Sequence, residues 1–105
     1  VWLKNGEFYL GHDFPKIKIN FKYLENKKLW CHAKNIDAIF GLSKIKSKYF
    51  WHQKDDVTIT SNGYFWTFPG KKLTKKSICV LPERANYDKI VCLGICSDFI
   101  ERYNK

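Results

Sequence analysis

Short apolar runs separated by turn residues recur along the sequence, and their spacing limits what the chain can fold into. The clearest runs cover residues 8–10, 57–60, 64–68, 78–81 and 90–96. Their β-branched and aromatic content is typical of strands, and the Gly, Pro and Asn residues between them are typical of turns. Most gaps are too short for the helix that a parallel crossover needs. The pattern therefore predicts many short strands and few helices.

One segment has the features of a helix. Asn35 is a suitable N-cap for a helix over residues 36–45, and Asp37 lies in the first turn, where the helix dipole favours an acid. Gly41 weakens this prediction because glycine destabilises helix interiors. The predicted apolar face comprises Ile36, Ile39, Phe40 and Ile45.

The charge balance is strongly basic, with a formal net charge of +9 from 19 basic and 10 acidic residues. Only Arg84 and Arg102 are arginine, although arginine is the side chain that reads phosphate and guanine in bidentate fashion. A lysine-coated surface is therefore favoured over nucleic-acid binding, which stays open as an alternative. The hydrophobic content of 45% excludes a disordered chain, and no apolar run is long enough to predict a membrane span.

The four cysteines lie in apolar, strand-like runs, where free thiols commonly pack as small hydrophobic side chains. Two disulfides in three pairings are permitted by the even count, and a zinc site is disfavoured because only one close pair occurs. Buried free thiols are the favoured interpretation, and they favour the cytoplasm. The cysteines are Cys31, Cys79, Cys92 and Cys96.

Polar side chains recur where the apolar runs end. In parallel sheets such positions gather at one edge and build active sites, and histidine suits acid–base chemistry near neutral pH. Polar residues also end strands simply because the chain returns to water. The candidate site residues of this kind are His12, Asp13, His32, Lys34, His52 and Asp98.

Four segments together resemble one enzyme family. Residues 3–13, which read LKNGEFYLGHD, resemble the hairpin of glycerophosphodiester phosphodiesterases, and residues 94–100, GICSDFI, resemble the last strand of that family. Residues 30–34, WCHAK, and the pair Trp66-Thr67 look like two of its internal strands. The order of all four segments agrees with the family, so the similarity extends thinly over nearly the whole chain.

The resemblance implies an α/β fold of the (β/α)8 TIM-barrel type. Such a barrel takes about 250 residues, so 105 residues allow only a partial or reduced barrel with few helices. The family's His-Arg-Gly and Glu-x-Asp strands are absent, and the sequence contains no Met. We therefore expect a single domain over residues 1–105, truncated at its N-terminus. A small α+β domain is the alternative fold.

The resemblance also implies roles for individual residues in metal-assisted phosphodiester hydrolysis. His12 matches the general acid that protonates the leaving alkoxide, and Lys34 matches a lysine that stabilises phosphoryl charge. His32 stands where the family has a glutamate that binds a divalent metal, Mg²⁺ or Ca²⁺, which prefers oxygen ligands. Asp98 matches an aspartate of the closing strand, whereas no family motif supports His52. Because carboxylates are few, we expect this chain alone to be inactive or diverged.

Three functions thus follow from the sequence. The first is a hydrolase-like phosphodiesterase site for a small phosphodiester, such as one that carries a lipid head group. The second is a small basic module that binds nucleic acid or another polyanion. The third is a structural domain without chemistry. If the chain is an open barrel fragment, its exposed strand edges would favour self-association.

Overall fold

Short strands in three sheets form most of the regular structure in the computed structural model, which describes residues 1–103. The chain divides into two compact units. Unit 1 comprises Val1–Trp51 and Thr60–Asn62, and unit 2 comprises His52–Ile59 and the chain from Gly63 onward. The assignment of residues 1–105 to a single domain stays a prediction.

The described residues form nine strands, two α-helices and two 3-10 helices. The strands are β1 (Trp2–Lys4), β2 (Glu7–Leu10), β3 (Ile17–Ile19), β4 (Cys31–His32), β5 (Tyr49–Phe50), β6 (Val57–Ile59), β7 (Phe65–Thr67), β8 (Ser77–Val80) and β9 (Gly94–Cys96). The α-helices are α1 (Phe21–Leu24) and α2 (Ile36–Ser43), and the 3-10 helices are Pro82–Arg84 and Ile100–Tyr103.

Unit 1 begins with a three-stranded antiparallel sheet in the order β1-β2-β3. Asn5 and Gly6 connect its first two strands, both with positive φ, at 52° and 76°. This is the turn that an Asn-Gly pair favours, because these residues adopt the left-handed conformation easily. The turn expected from Asn and Gly residues ahead of the apolar run over residues 8–10 is therefore confirmed, and it joins β1 and β2 into a hairpin.

Helix α2 packs against this hairpin, and its packed face matches the predicted one only in part, since Ile39 and Ile45 pack against the core. Asn35 caps the helix as expected, its side chain accepting a hydrogen bond from the Ala38 amide at 2.9 Å. The buried residues are Ala38 and Leu42, whereas Ile36 is 80% exposed and Phe40 is 61% exposed. The prediction was therefore wrong for Ile36 and Phe40. The side of the helix that contains Ala38 and Gly41 faces the hairpin instead, because these small residues allow a close approach.

Gly41 explains this close approach. A Cβ at Gly41 would lie 3.0 Å from Cδ2 of Leu3 and 3.1 Å from Cζ of Phe8, so a larger residue would have to displace these side chains. The glycine that weakened the helix prediction is therefore the residue that allows α2 to pack. Leu24, Cys31 and Ala33 form one buried cluster with the two buried helix residues.

Unit 2 contains a four-stranded mixed sheet in the order β6-β7-β8-β9. β6 pairs antiparallel with β7, while β7, β8 and β9 run parallel. Every residue of β8 is buried, as expected for a central strand of a parallel sheet that is covered on both faces. Of the strand predicted over residues 90–96, only Gly94–Cys96 pairs with a neighbour.

The TIM-barrel prediction is wrong. The strands of residues 1–103 lie in three separate sheets, and three of their six pairings are antiparallel, whereas a (β/α)8 barrel needs one closed parallel sheet. The two α-helices have four and eight residues. Among the described segments that join parallel strands, only the one between β4 and β5 contains an α-helix, so the fold agrees with the small α+β alternative.

All four cysteines are free thiols, and Cys31 and Cys79 are buried. The prediction of free thiols is confirmed, although Cys92 and Cys96 are only partly buried. Among residues 1–103, no helix has the length and apolar character needed to cross a membrane.

Candidate functional site

His12, His32 and Lys34 line one pocket of unit 1. The pocket has a volume of about 460 Å³, within the range common for small-molecule sites. Its other walls are mostly apolar and include Tyr23, Leu29 and Trp30, and Gly11 lies beside His12. The structure thus brings together three of the residues that the sequence marked as candidates, although about twenty positions separate His12 from the other two.

The loop that carries His12 is held tightly at the end of β2. The Trp2 indole Nε1 donates a hydrogen bond to the Gly11 carbonyl at 2.8 Å, and the Lys16 amide closes the loop on the Leu10 carbonyl at 3.0 Å. A Cβ at Gly11 would lie 1.9 Å from the Phe14 carbonyl oxygen. Only glycine therefore permits this path of the backbone, which fixes where His12 leaves the sheet.

The His12 ring is paired with its neighbour. Its Nδ1 lies 2.9 Å from Oδ1 of Asp13, and the two side chains are 89% and 84% exposed. An ionised carboxylate can only accept, so Nδ1 donates its hydrogen and Nε2 is the atom left to face a ligand. Asp13 therefore hydrogen-bonds to His12 and does not itself line the pocket.

His32 and Lys34 are placed by a parallel arrangement of three backbone segments. The Cys31 and Ala33 amides donate to carbonyls of Lys48 and Phe50 at 2.7 and 2.9 Å. On the other side, the Lys34 amide donates to the Val1 carbonyl at 2.7 Å. Because side chains alternate along extended backbone, residues 32 and 34 project to the same side.

Asn35 fixes the end of this segment. Its side-chain amide donates to the Leu3 carbonyl at 2.9 Å, and its Oδ1 accepts from the Leu3 amide at 3.2 Å. The same oxygen caps α2 through Ala38. One side chain therefore joins β1, the end of β4 and the start of α2, and so holds Lys34 in position.

Two further side chains define the chemistry around His32. The His32 ring stacks on Phe50, with ring centroids 4.9 Å apart and planes inclined by 21°. Cys31 lines the pocket as well, and burial raises the pKa of its thiol, although a nearby ammonium group opposes this effect. The thiol therefore stays protonated at neutral pH and is a poor nucleophile.

The residues present do not fit the divalent metal that the family resemblance implies. Within residues 1–103, no group of three or more His, Cys, Asp or Glu side chains is arranged to hold a metal ion. Mg²⁺ and Ca²⁺ need several oxygen ligands, whereas the pocket lining contains no carboxylate. A metal role for His32 consequently lacks the partners it would require.

The remaining two candidates belong to unit 2. His52 is buried, with Nε2 2.8 Å from the Asp55 carbonyl and its ring tilted against Phe68, an environment that suits a structural histidine. Asp98 is exposed and follows β9. Neither residue lines the pocket of His12.

Glu83 is a further polar residue at the end of an apolar run, and it was not among the predicted site residues. Its Oε1 accepts a hydrogen bond from Ser97 Oγ at 2.7 Å beside the ends of β8 and β9. Burial tends to raise the pKa of this carboxyl, but hydrogen bonds from Ser97 and from the backbone lower it overall. Leu81, with φ of 45° and ψ of 57°, turns the chain sharply toward Glu83 after β8. The Leu81-Pro82 pair was the available signal.

Tyr23 and Trp30 also line the pocket of His12 without having been predicted there. Residues 17–24 fit either a strand or a short helix by pattern, and the side that Tyr23 faces depends on that choice.

No protein-family model, curated protein or solved structure matches this chain.

Proposed function

We propose that the unit 1 pocket binds a small phosphodiester and is a diverged, hydrolase-like site. One observation carries the proposal, namely that His12, His32 and Lys34 line a single pocket. A lysine ammonium supplies the positive charge that a phosphodiester anion needs, and the two imidazoles supply hydrogen-bond donors. The resemblance of residues 3–13 and 30–34 to phosphodiesterase segments supports the same chemistry.

Lys34 is the residue assigned to the phosphoryl group. In hydrolysis, negative charge on the non-bridging oxygens must be stabilised while a phosphorus–oxygen bond breaks, and a fixed cation contributes to this. The backbone bonds of Lys34 and Asn35 hold the lysine at the pocket wall. The apolar walls formed by Tyr23, Leu29 and Trp30 suit the alcohol portions of the ester.

His12 is the residue assigned to the leaving group. A water oxygen attacks phosphorus, the bond to the alcohol oxygen breaks with its electron pair, and that oxygen takes a proton from Nε2 of the His12 imidazolium. Asp13 retains the hydrogen bond with Nδ1 throughout, and the water proton passes to solvent. Such general acids typically contribute a hundred- to ten-thousand-fold in rate.

No step of this proposal uses a metal ion. The described residues supply no carboxylate cluster, so wild-type turnover is expected to be slow compared with metal-assisted hydrolysis. Phosphodiester binding and proton donation are therefore the two properties to measure.

Leaving-group dependence tests the role of His12. Hydrolysis of glycerophosphocholine needs a proton on a poor alkoxide leaving group, whereas bis(4-nitrophenyl) phosphate releases a stable phenolate. We expect His12→Ala to slow the first reaction by about a hundredfold or more and the second by a much smaller factor. Lys34→Ala should slow both, and Lys46→Ala serves as control because Lys46 is exposed and does not line the pocket.

Two results would contradict the proposal. Equal losses on both substrates in His12→Ala would mean that the histidine does not protonate the leaving group. Absence of wild-type turnover would remove the hydrolytic step and leave only a binding site, which the titration described in the Discussion examines separately.

A further inference from the structure

A cavity in unit 2 has a basic lining. Lys71, Lys72 and Lys89 contribute to the walls of a pocket of about 440 Å³, together with Gly70 and Tyr87. None of the residues that line it is acidic. Cationic side chains that converge on one concavity attract anions more strongly than the same charges spread over a convex surface.

The three lysines are only partly neutralised. Lys71 Nζ lies 3.4 Å from Oδ1 of Asp56, and both side chains are partly or largely exposed. Lys72 and Lys89 form no ion pair within 4.0 Å with any residue of the described chain. An exposed pair such as Lys71–Asp56 is weak, so the pocket keeps a surplus of positive charge.

The backbone around the pocket is held in one conformation. The Lys71 amide donates to the Phe68 carbonyl at 3.1 Å across Pro69 and Gly70, and Gly70 has φ of 85°. This is a type II turn, which requires a residue such as glycine at its third position. The backbone that leads into Lys71 is therefore fixed by the turn.

Tyr87 braces this turn from the other side of the pocket. Its hydroxyl accepts a hydrogen bond from the Gly70 amide at 2.8 Å and donates to the Lys71 carbonyl at 3.3 Å. The tyrosine therefore links the turn to the segment that carries Lys89. The backbone on both sides of the pocket is consequently held together, while the lysine side chains that line it are exposed.

We propose that this lysine pocket of unit 2 binds the phosphate of a phosphomonoester or diphosphate. Lysine ammonium groups act as point charges toward phosphate and do not require the planar geometry of a carboxylate–arginine pair. The pocket volume exceeds what a single phosphate fills, and Leu73 and Val91 add apolar wall for the remainder of the ligand. This inference does not depend on the function proposed for unit 1.

The test is an NMR titration of the whole chain with pyrophosphate, followed through backbone amides. We expect the amides of residues 70–73 and 87–91 to shift in a saturable manner. The double variant Lys72→Ala/Lys89→Ala should weaken this binding by about tenfold or more. Lys75→Ala is the control for Lys72→Ala alone, since each removes one charge from the same loop and only Lys72 lines the pocket.

Two more variants separate pocket binding from other effects. Tyr87→Phe keeps the charge but loses both hydrogen bonds to the turn, so it should weaken binding severalfold if the built geometry matters. Lys34→Ala alters the unit 1 pocket and should leave the shifts of residues 70–73 unchanged. Thermal unfolding of each variant verifies that the fold persists.

Vesicles distinguish the two sources of such a phosphate. If the same residues shift with pyrophosphate but the protein does not sediment with vesicles of phosphatidic acid in phosphatidylcholine, the ligand is a soluble phosphate. Sedimentation that the double variant abolishes would instead assign a lipid head group. Equal weakening by Lys75→Ala and Lys72→Ala, or no saturable shift, would overturn the proposal.

Discussion

Nδ1 of His12 lies 2.9 Å from Oδ1 of Asp13, the next residue of the chain, and this pair stands at the mouth of the unit 1 pocket. The carboxylate accepts and therefore fixes the hydrogen of the neutral ring on Nδ1. Nε2 is then the atom that exchanges a proton with a ligand.

Asp13→Asn should relax this preference. A neutral amide accepts less strongly than a carboxylate, so the share of neutral His12 that carries its hydrogen on Nδ1 should fall. The ¹⁵N chemical shifts of the two ring nitrogens, measured at a pH where the ring is neutral, report that share directly. A wild-type ring with its hydrogen mainly on Nε2 would contradict the assignment of Nε2 to the ligand.

Gly11→Ala should destabilise the fold and displace the His12 loop. The added Cβ would approach the Phe14 carbonyl oxygen to 1.9 Å, and backbone cannot yield as a flexible side chain does. We expect a loss of about 1–3 kcal/mol in the free energy of unfolding, measured in urea. Gly6→Asn is the control, because Gly6 faces open space and asparagine tolerates its positive φ. A loss no larger than that of the control would argue against this loop geometry.

Asn35→Ala should cost more than the loss of an ordinary helix cap. The substitution removes the cap on Ala38 and both hydrogen bonds to the Leu3 backbone. The expected loss is about 2–4 kcal/mol in the free energy of unfolding. Asn20→Ala is the matched comparison, since Asn20 caps only α1 through the Lys22 amide and should cost about 1 kcal/mol or less. Similar losses in the two variants would contradict the joining role of Asn35.

Stability should fall in alkaline solution partly through Cys31. Burial raises the pKa of this thiol in the folded chain above its ordinary value of 9.0, so above that value the unfolded chain releases a proton that the folded chain retains. The free energy of unfolding then decreases as the pH rises. The stability gap between wild type and Cys31→Ala should accordingly shrink between pH 8 and pH 10. The gap for Leu42→Ala, which removes no titratable group, should stay constant.

Local signals in the sequence predicted the local structure well. The Asn5-Gly6 turn and the Asn35 cap depend on residues within a few positions of one another, and both are present. The face of α2 depends instead on the room that Leu3 and Phe8 leave beside Gly41. The spacing of apolar residues along the helix does not reveal such packing between residues that are distant in sequence.

The barrel failed for a related reason. It was inferred from a resemblance of short segments, and those segments do occur as strands, but their pairing is set by the turns and gaps between them. β2 belongs to an antiparallel sheet, so His12 does not reach the pocket by the route expected for parallel strands. The hairpin places the end of β2, and hence His12, beside β1. The Lys34 amide bonds the Val1 carbonyl just before β1, and this brings Lys34 near the same pocket.

His52 shows that a histidine at the end of an apolar run need not face a pocket or solvent. By sequence it matches His12, since each follows an apolar run. Its environment is nevertheless buried, with Asp55 and Phe68 as neighbours. Which histidine faces solvent depends on tertiary packing, and no pattern in residues 49–52 contains that information.

The most direct measurement is an NMR titration of the chain with glycerophosphocholine, followed through backbone amides and the His12 and His32 ring signals. We expect saturable shifts at residues 10–12 and 30–34, at least about tenfold weaker binding in Lys34→Ala, and unchanged binding in Lys46→Ala. Absence of saturable shifts at these residues, or equal weakening in the two lysine variants, would contradict a phosphodiester site in the unit 1 pocket.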